Sequence, residues 1–131
     1  LETVAGTAVP CRAGLTDLDV LEGERLRAHA YRVGTDLIGH LRQLDGRHPA
    51  SGDVRGRGLF IGVDLVTDDA LTPATDLDKS TNEALRRSGI LISTDGPHAN
   101  VLKIKPPMVI SSNQADAVVD ALDDALANAP Y

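Results

Sequence analysis

Along residues 24–44, apolar side chains recur at Leu26, Ala30, Val33, Leu37, Leu41 and Leu44, in steps of three and four. That spacing puts them on one stripe of a helix, with Arg25, Arg32, Asp36 and Arg42 largely off it. The pattern predicts a long helix from Glu24 to Leu44, stopped before Gly46; His48-Pro49 forbids its continuation, because proline drives the residue before it out of helical backbone. Upstream, Pro10 suits the first turn of a shorter helix, Cys11 to Leu21, with Gly23 as the interruption. A β-branched and apolar run, Leu59 to Val66, predicts a strand, and Gly56, Gly58 and Gly62 suggest close backbone approach or a bulge beside it. Thr67 to Pro73 is a polar turn, followed by a helix from Asp76 to Arg87 that ends with Gly89 at its C′ position. Ile90–Ser93 and Val101–Lys105 are two further strands, separated by the turn sequence Asp95-Gly96-Pro97 and closed by Pro106-Pro107. Ala115, Val118, Val119, Leu122 and Leu126 make the stripe of a last helix, Ser112 to Asn128, with Ser111 and Gln114 in capping-box spacing.

The predicted order is helix, helix, strand, helix, strand, strand, helix, without internal repeats. The seven-residue loop between the last two strands makes them antiparallel. These elements define an α/β (α+β) two-layer sandwich: a small, mainly antiparallel sheet of three or four strands with helices on one face.

Composition narrows the picture. Tyr31, Phe60 and Tyr131 are the only aromatic residues, so Leu, Val, Ile and Ala must build the core. A chain of 131 residues can hold such a core without disulfides or metal. Thirteen basic against nineteen acidic residues leave a net charge of −6, which argues against a nucleic-acid partner. Lone Cys11 has no internal disulfide partner and fits a reducing, cytoplasmic setting. No apolar run approaches about 18 residues, so no membrane partner is expected.

The candidate chemistry is sparse. Gly52, Gly56 and Gly58 lead into a strand rather than into a helix N-terminus, so they read as a structural turn before they read as a phosphate loop. His29 and His40 are eleven residues apart and lack the three- or four-residue spacing of helical metal ligands, and His48 and His98 fall in loops. Cys11, beside Arg12, falls among apolar neighbours and reads as inert core. There is no nucleophile-elbow sequence. Lys103 and Lys105, two apart on one strand, share a face; that face is either a solvated strand edge or a place for an anion. Arg55 and Arg57 share a side if their segment is extended.

Three collinear stretches carry a resemblance. They are Gly52-Asp-Val-Arg-Gly-Arg-Gly-Leu-Phe-Ile-Gly-Val-Asp-Leu-Val66, Leu91-Ile-Ser-Thr-Asp-Gly-Pro-His98 and Asn100-Val-Leu-Lys-Ile-Lys-Pro-Pro-Met108. Together they resemble the C-terminal region of class III aminotransferases, pyridoxal-phosphate enzymes of fold type I. The second and third, with Pro73-Ala-Thr75, look closest to the ethanolamine-phosphate and hydroxylysine-phosphate phospho-lyases.

That resemblance implies an end of a large domain over residues 1–22, a C-terminal small domain over 23–131, a second identical subunit and a small-molecule amine substrate. It also implies that the cofactor is held mostly by the large domain, whose Schiff-base lysine matches none of Lys79, Lys103 or Lys105, so that this chain alone is expected to be inactive. Thr3 matches the threonine of a Thr-aromatic-Gly-Gly-Asn-Pro motif that contacts the cofactor phosphate of the neighbouring subunit. Here the motif reads Thr3-Val-Ala-Gly-Thr-Ala8, with the aromatic, first Gly, Asn and Pro replaced. Lys103 occupies the place of an arginine that binds substrate carboxylate in many relatives, and a lysine offers a point charge instead of a bidentate fork. Transamination and β-elimination of phosphate from an amino-alcohol phosphate both remain open, as does the alternative of a free-standing oligomerisation or anion-binding domain.

Overall fold

The computed structural model describes residues 25–129. The predicted helix Cys11–Leu21 and Thr3 therefore lie outside the described residues. Helix α1, Leu26–Asp45, follows the apolar stripe and buries Ala30, Val33, Leu37, Leu41 and Leu44, with Gly34 and Ile38 added between them. It ends where the amides of Arg47 and His48 both turn back to the Leu44 carbonyl, at 3.0 and 2.8 Å.

The chain then makes a hairpin of β1, Ser51–Arg57, and β2, Phe60–Leu65, paired antiparallel from Asp53↔Asp64 to Arg57↔Phe60. This corrects the reading of residues 52–58 as a turn: the segment is a strand. Its glycines weaken local β preference, but Val54 is buried opposite Val63 and the pairing with an apolar neighbour decides the conformation. The turn itself is Gly58-Leu59, where Gly58 takes φ 59°, a value glycine adopts without strain. Gly34 lets α1 dock on that turn: an added Cβ there would lie 2.0 Å from the Gly58 carbonyl oxygen.

Helix α2, Thr75–Arg87, ends in a Schellman arrangement, in which Gly89 (φ 83°) donates to the Arg86 carbonyl and Ile90 to the Leu85 carbonyl, at 3.0 and 2.9 Å. Ile90 is thus spent on the helix end, and Ile90 and Ile92 pack against the core. That moves strand β3 to Ser93–Asp95, three residues beyond the predicted Ile90–Ser93 start. Strand β4, Val101–Ile104, lies between β2 and β3 in an all-antiparallel sheet of order β1-β2-β4-β3. Lys103 is therefore on an interior strand, which corrects the strand-edge reading. Helix α3, Ser112–Ala127, starts from the predicted capping box, with the Gln114 amide donating to Ser111 Oγ and the Ser111 amide to Gln114 Oε1.

The three helices cover one face of the sheet. Ile61, Val63, Leu65, Leu102 and Ile104 point into that layer against Leu37 and Leu41 of α1, Leu85 of α2 and Leu122 and Leu126 of α3. Full burial of a leucine or isoleucine side chain is worth about 1.5–3 kcal/mol, so this layer supplies most of the driving force for the fold. Because side chains alternate along a strand, burying this set leaves the opposite set on a face that no described helix covers.

Candidate functional site: a cationic sheet face

Register fixes what that face carries. Gly62 is opposite both Arg55 on β1 and Lys103 on β4, and Lys103 is opposite Ser93 on β3. One row therefore reads Arg55, Gly62, Lys103, Ser93. The row beside it pairs Arg57 with Phe60, and the pairing Ile61↔Ile104 places Lys105 next to Phe60 on the other side.

The cations on this face differ in their partners. Arg55 Nη1 donates to Asp64 Oδ1 at 2.7 Å and to Asp53 Oδ2 at 3.2 Å. The hydrogen bond to Asp64 is the main cause of a raised guanidinium pKa, and the two carboxylates neutralise the arginine's charge. Lys103 and Lys105 instead place their Nζ atoms over the Phe60 ring, 5.6 and 5.8 Å from its centroid. Neither lysine forms an ion pair among the described residues. Phe60 itself stays 55% exposed, although it belongs to a central strand. Its ring borders two depressions, one of about 310 Å³ shared with Arg55 and Lys103 and one of about 520 Å³ shared with Arg57 and Lys105.

Lys103 is thus half-buried on an open, positively charged face, in reach of a small anion. Arg55 is occupied by Asp53 and Asp64. The two-residue offset puts Lys105 on the same face as Lys103, as the sequence expects. Phe60 went unnoticed as a site residue because its relation to the lysines depends on how β2 and β4 register.

The other titratable groups bind the layers together. His29 Nε2 donates to the Ile110 carbonyl at 2.6 Å. Buried His48 meets Asp123 of α3 at 2.5 Å, and Arg47 reaches the second oxygen of the same carboxylate at 3.0 Å; the hydrogen bond to His48, and after it the charge of Arg47, hold Asp123 below the usual carboxylate range. Asp78 is buried on α2 and accepts from Thr94 and Asn82, fastening α2 to β3. Burial pushes its carboxyl above the usual range despite those hydrogen bonds. Among the described residues no group of three or more His, Cys, Asp or Glu could hold a metal ion, and no helix is long and apolar enough to cross a membrane.

Among the described residues, three helices on one face of a four-stranded antiparallel sheet, with lysines on the other, define a small α/β domain. A family model described as "Aminotransferase class-III" matches residues 2–126, and the chain belongs to the class III aminotransferase family. It is 43% identical over 126 residues to ethanolamine-phosphate phospho-lyase homolog 1 of Caenorhabditis elegans, covering 95% of this chain and 27% of that protein. Over 122 residues it is 42% identical to alanine–glyoxylate aminotransferase 2 homolog 2, mitochondrial, of Arabidopsis thaliana, covering 92% and 26%. Among solved structures, a phospholyase from Arthrobacter in complex with phosphoethanolamine superposes with a TM-score of 0.86 at 40% identity, over 90% of this chain and 28% of that one. An amine transaminase from an uncultivated Pseudomonas species, in its pyridoxal-phosphate-bound internal aldimine form, gives 0.81 at 33%, over 92% and 27%. The chain spans about a quarter of the length of these relatives.

Lys79 is exposed on α2, and the amines of Lys103 and Lys105 are engaged with the Phe60 ring on an open sheet face.

Proposed function

We propose that this chain is the C-terminal small domain, residues 23–131, of a pyridoxal-phosphate-dependent class III enzyme acting on a primary amine that carries an anionic group. Residues 1–22 are the end of a large domain that holds the cofactor, with Thr3 directed to the cofactor phosphate of a second identical subunit in a cytoplasmic homodimer. In this reading Lys103 receives the substrate's anionic group. The observation that carries it is the ammonium of Lys103, free of carboxylate partners among the described residues, on the uncovered face of a sheet whose family is established.

Two reactions fit a family member of this kind: transamination, and β-elimination of phosphate from an amino-alcohol phosphate. The likeness to a phospholyase in complex with phosphoethanolamine supports the second. The test is to purify the full-length protein that carries this chain and to follow phosphoethanolamine with and without a 2-oxo acid. Release of inorganic phosphate independent of the 2-oxo acid is the expected result. Amino-acid formation from the 2-oxo acid without phosphate release would replace elimination by transamination, and no turnover of any anionic primary amine would overturn the proposal.

A further inference from the structure

We infer that Phe60 is a positioning residue: its ring gathers the ammonium groups of Lys103 and Lys105 into one doubly charged site that selects a phosphate monoester over a carboxylate. This rests on the reading of Lys103 as the group that receives the substrate's anion, and extends it to a second lysine and to the residue that holds the two together.

Two ammonium groups near each other repel, and long lysine side chains ordinarily swing apart into solvent. Here both Nζ atoms stay within 6 Å of one ring centroid, at 5.6 and 5.8 Å, inside the distance at which an aromatic quadrupole attracts a cation. No carboxylate among the described residues contributes to holding them. Three aspartates share the face: Asp53 and Asp64 are turned to Arg55, while Asp95, which borders the same depression as Lys103, accepts from the Gly96 amide and forms no ion pair with either lysine. Phe60 is more than half exposed, which leaves its ring open to the two ammonium groups.

The charge gathered in this way is about +2. A phosphate monoester carries about −1.5 to −2 near neutral pH, whereas a carboxylate carries −1 and satisfies one ammonium only. With the lysines already held near each other, the anion orders fewer rotamers on binding, and the saving appears as affinity.

The experiment uses the full-length protein and its Phe60→Leu, Phe60→Tyr and Lys103→Ala variants, with inorganic phosphate and acetate as probes in calorimetric titrations. Phe60→Leu keeps an apolar side chain at an exposed position but removes the ring; it is expected to lower phosphate affinity about five- to tenfold while acetate affinity changes less than about twofold. Phe60→Tyr, which restores a ring, is expected to keep the wild-type preference. A merely structural role would lower both anions together in Phe60→Leu, and that result would overturn the inference, as would unchanged phosphate binding. If Lys103→Ala loses phosphate while Phe60→Leu does not, only the positioning role fails. If Lys103→Ala also leaves phosphate binding unchanged, the reading of Lys103 as the anion's partner fails with it.

Discussion

Two glycines on the same helix offer a controlled test of how α1 seats on the sheet. An alanine at Gly39 would meet no atom within 4 Å, whereas at Gly34 the new Cβ would stand 2.0 Å from the Gly58 oxygen and 2.3 Å from its carbonyl carbon. Both substitutions gain the same helix propensity, about 0.5–1 kcal/mol in favour of alanine. Gly39→Ala is therefore expected to stabilise the domain by about that amount. Gly34→Ala must also drive two backbones apart by roughly an ångström, since real Cβ atoms essentially never approach closer than 3.0 Å. Overpacking of this kind costs about 1–3 kcal/mol, and neither partner here is a flexible side chain that can step aside. The difference between the two variants isolates the contact from propensity, and it should be at least about 1–3 kcal/mol. Urea titrations followed by far-UV circular dichroism measure it, provided the slope m is shared so that midpoints report stability. Gly58 lies two residues before Phe60, so the same displacement should also weaken phosphate binding at the open face. Equal stability of Gly34→Ala and Gly39→Ala would refute the reasoning.

Other expectations follow from the buried polar groups and the helix cap. Asp78 has a carboxyl raised by burial, so from about pH 4 upward the folded state holds the proton that the unfolded chain has lost, and stability falls as pH rises through that window. In Asp78→Asn that decline should vanish; urea midpoints that fall with pH just as steeply in the variant would count against it. Asp123 has the opposite sign. Its depressed carboxyl contributes stability present above the ordinary carboxylate range and lost as pH falls through the lowered value, so Asp123→Asn should flatten the acid limb of the same titration. An unchanged acid limb would mean that the pairing with His48 and Arg47 has no weight in solution. Ser111→Ala removes the acceptor for the Gln114 amide and should cost about 1 kcal/mol in a urea melt; a cost near zero would deny the capping box any energetic role.

Where sequence and structure agree, the reason is local. Helices α1 and α3 announce themselves because six and five apolar residues repeat at helical spacing, and the Ser111–Gln114 cap is written into four consecutive positions. Where they differ, a distant partner decides. Residues 52–58 contain three glycines and show no alternation, yet they form a strand because β2 supplies the pairing and Val54 finds a place in the core. Ile90 and Ile92 look like strand residues but are drawn to the end of α2 and to the core, which displaces β3. The site divides in the same way. A period of two was enough to put Lys103 and Lys105 on one face. That Phe60 lies under both, and that Arg55 is neutralised by Asp53 and Asp64, depends on register across β1, β2 and β4, which no single stretch of sequence specifies.

Lys103 on the open sheet face is proposed to receive the anionic group of an amine substrate. The most direct measurement sets the kcat/KM of the full-length protein and its Lys103→Ala variant on a phosphorylated amine beside the inhibition constant of an uncharged amine of equal length, which has no phosphate to eliminate. Loss of a hydrogen bond to a charged group, about 1.5–3 kcal/mol, predicts a fall in kcat/KM of roughly ten- to a hundredfold on the phosphorylated amine and little change in the inhibition constant of the uncharged one. Equal kcat/KM on the phosphorylated amine for wild type and variant, or an inhibition constant weakened as much as kcat/KM falls, would contradict that role.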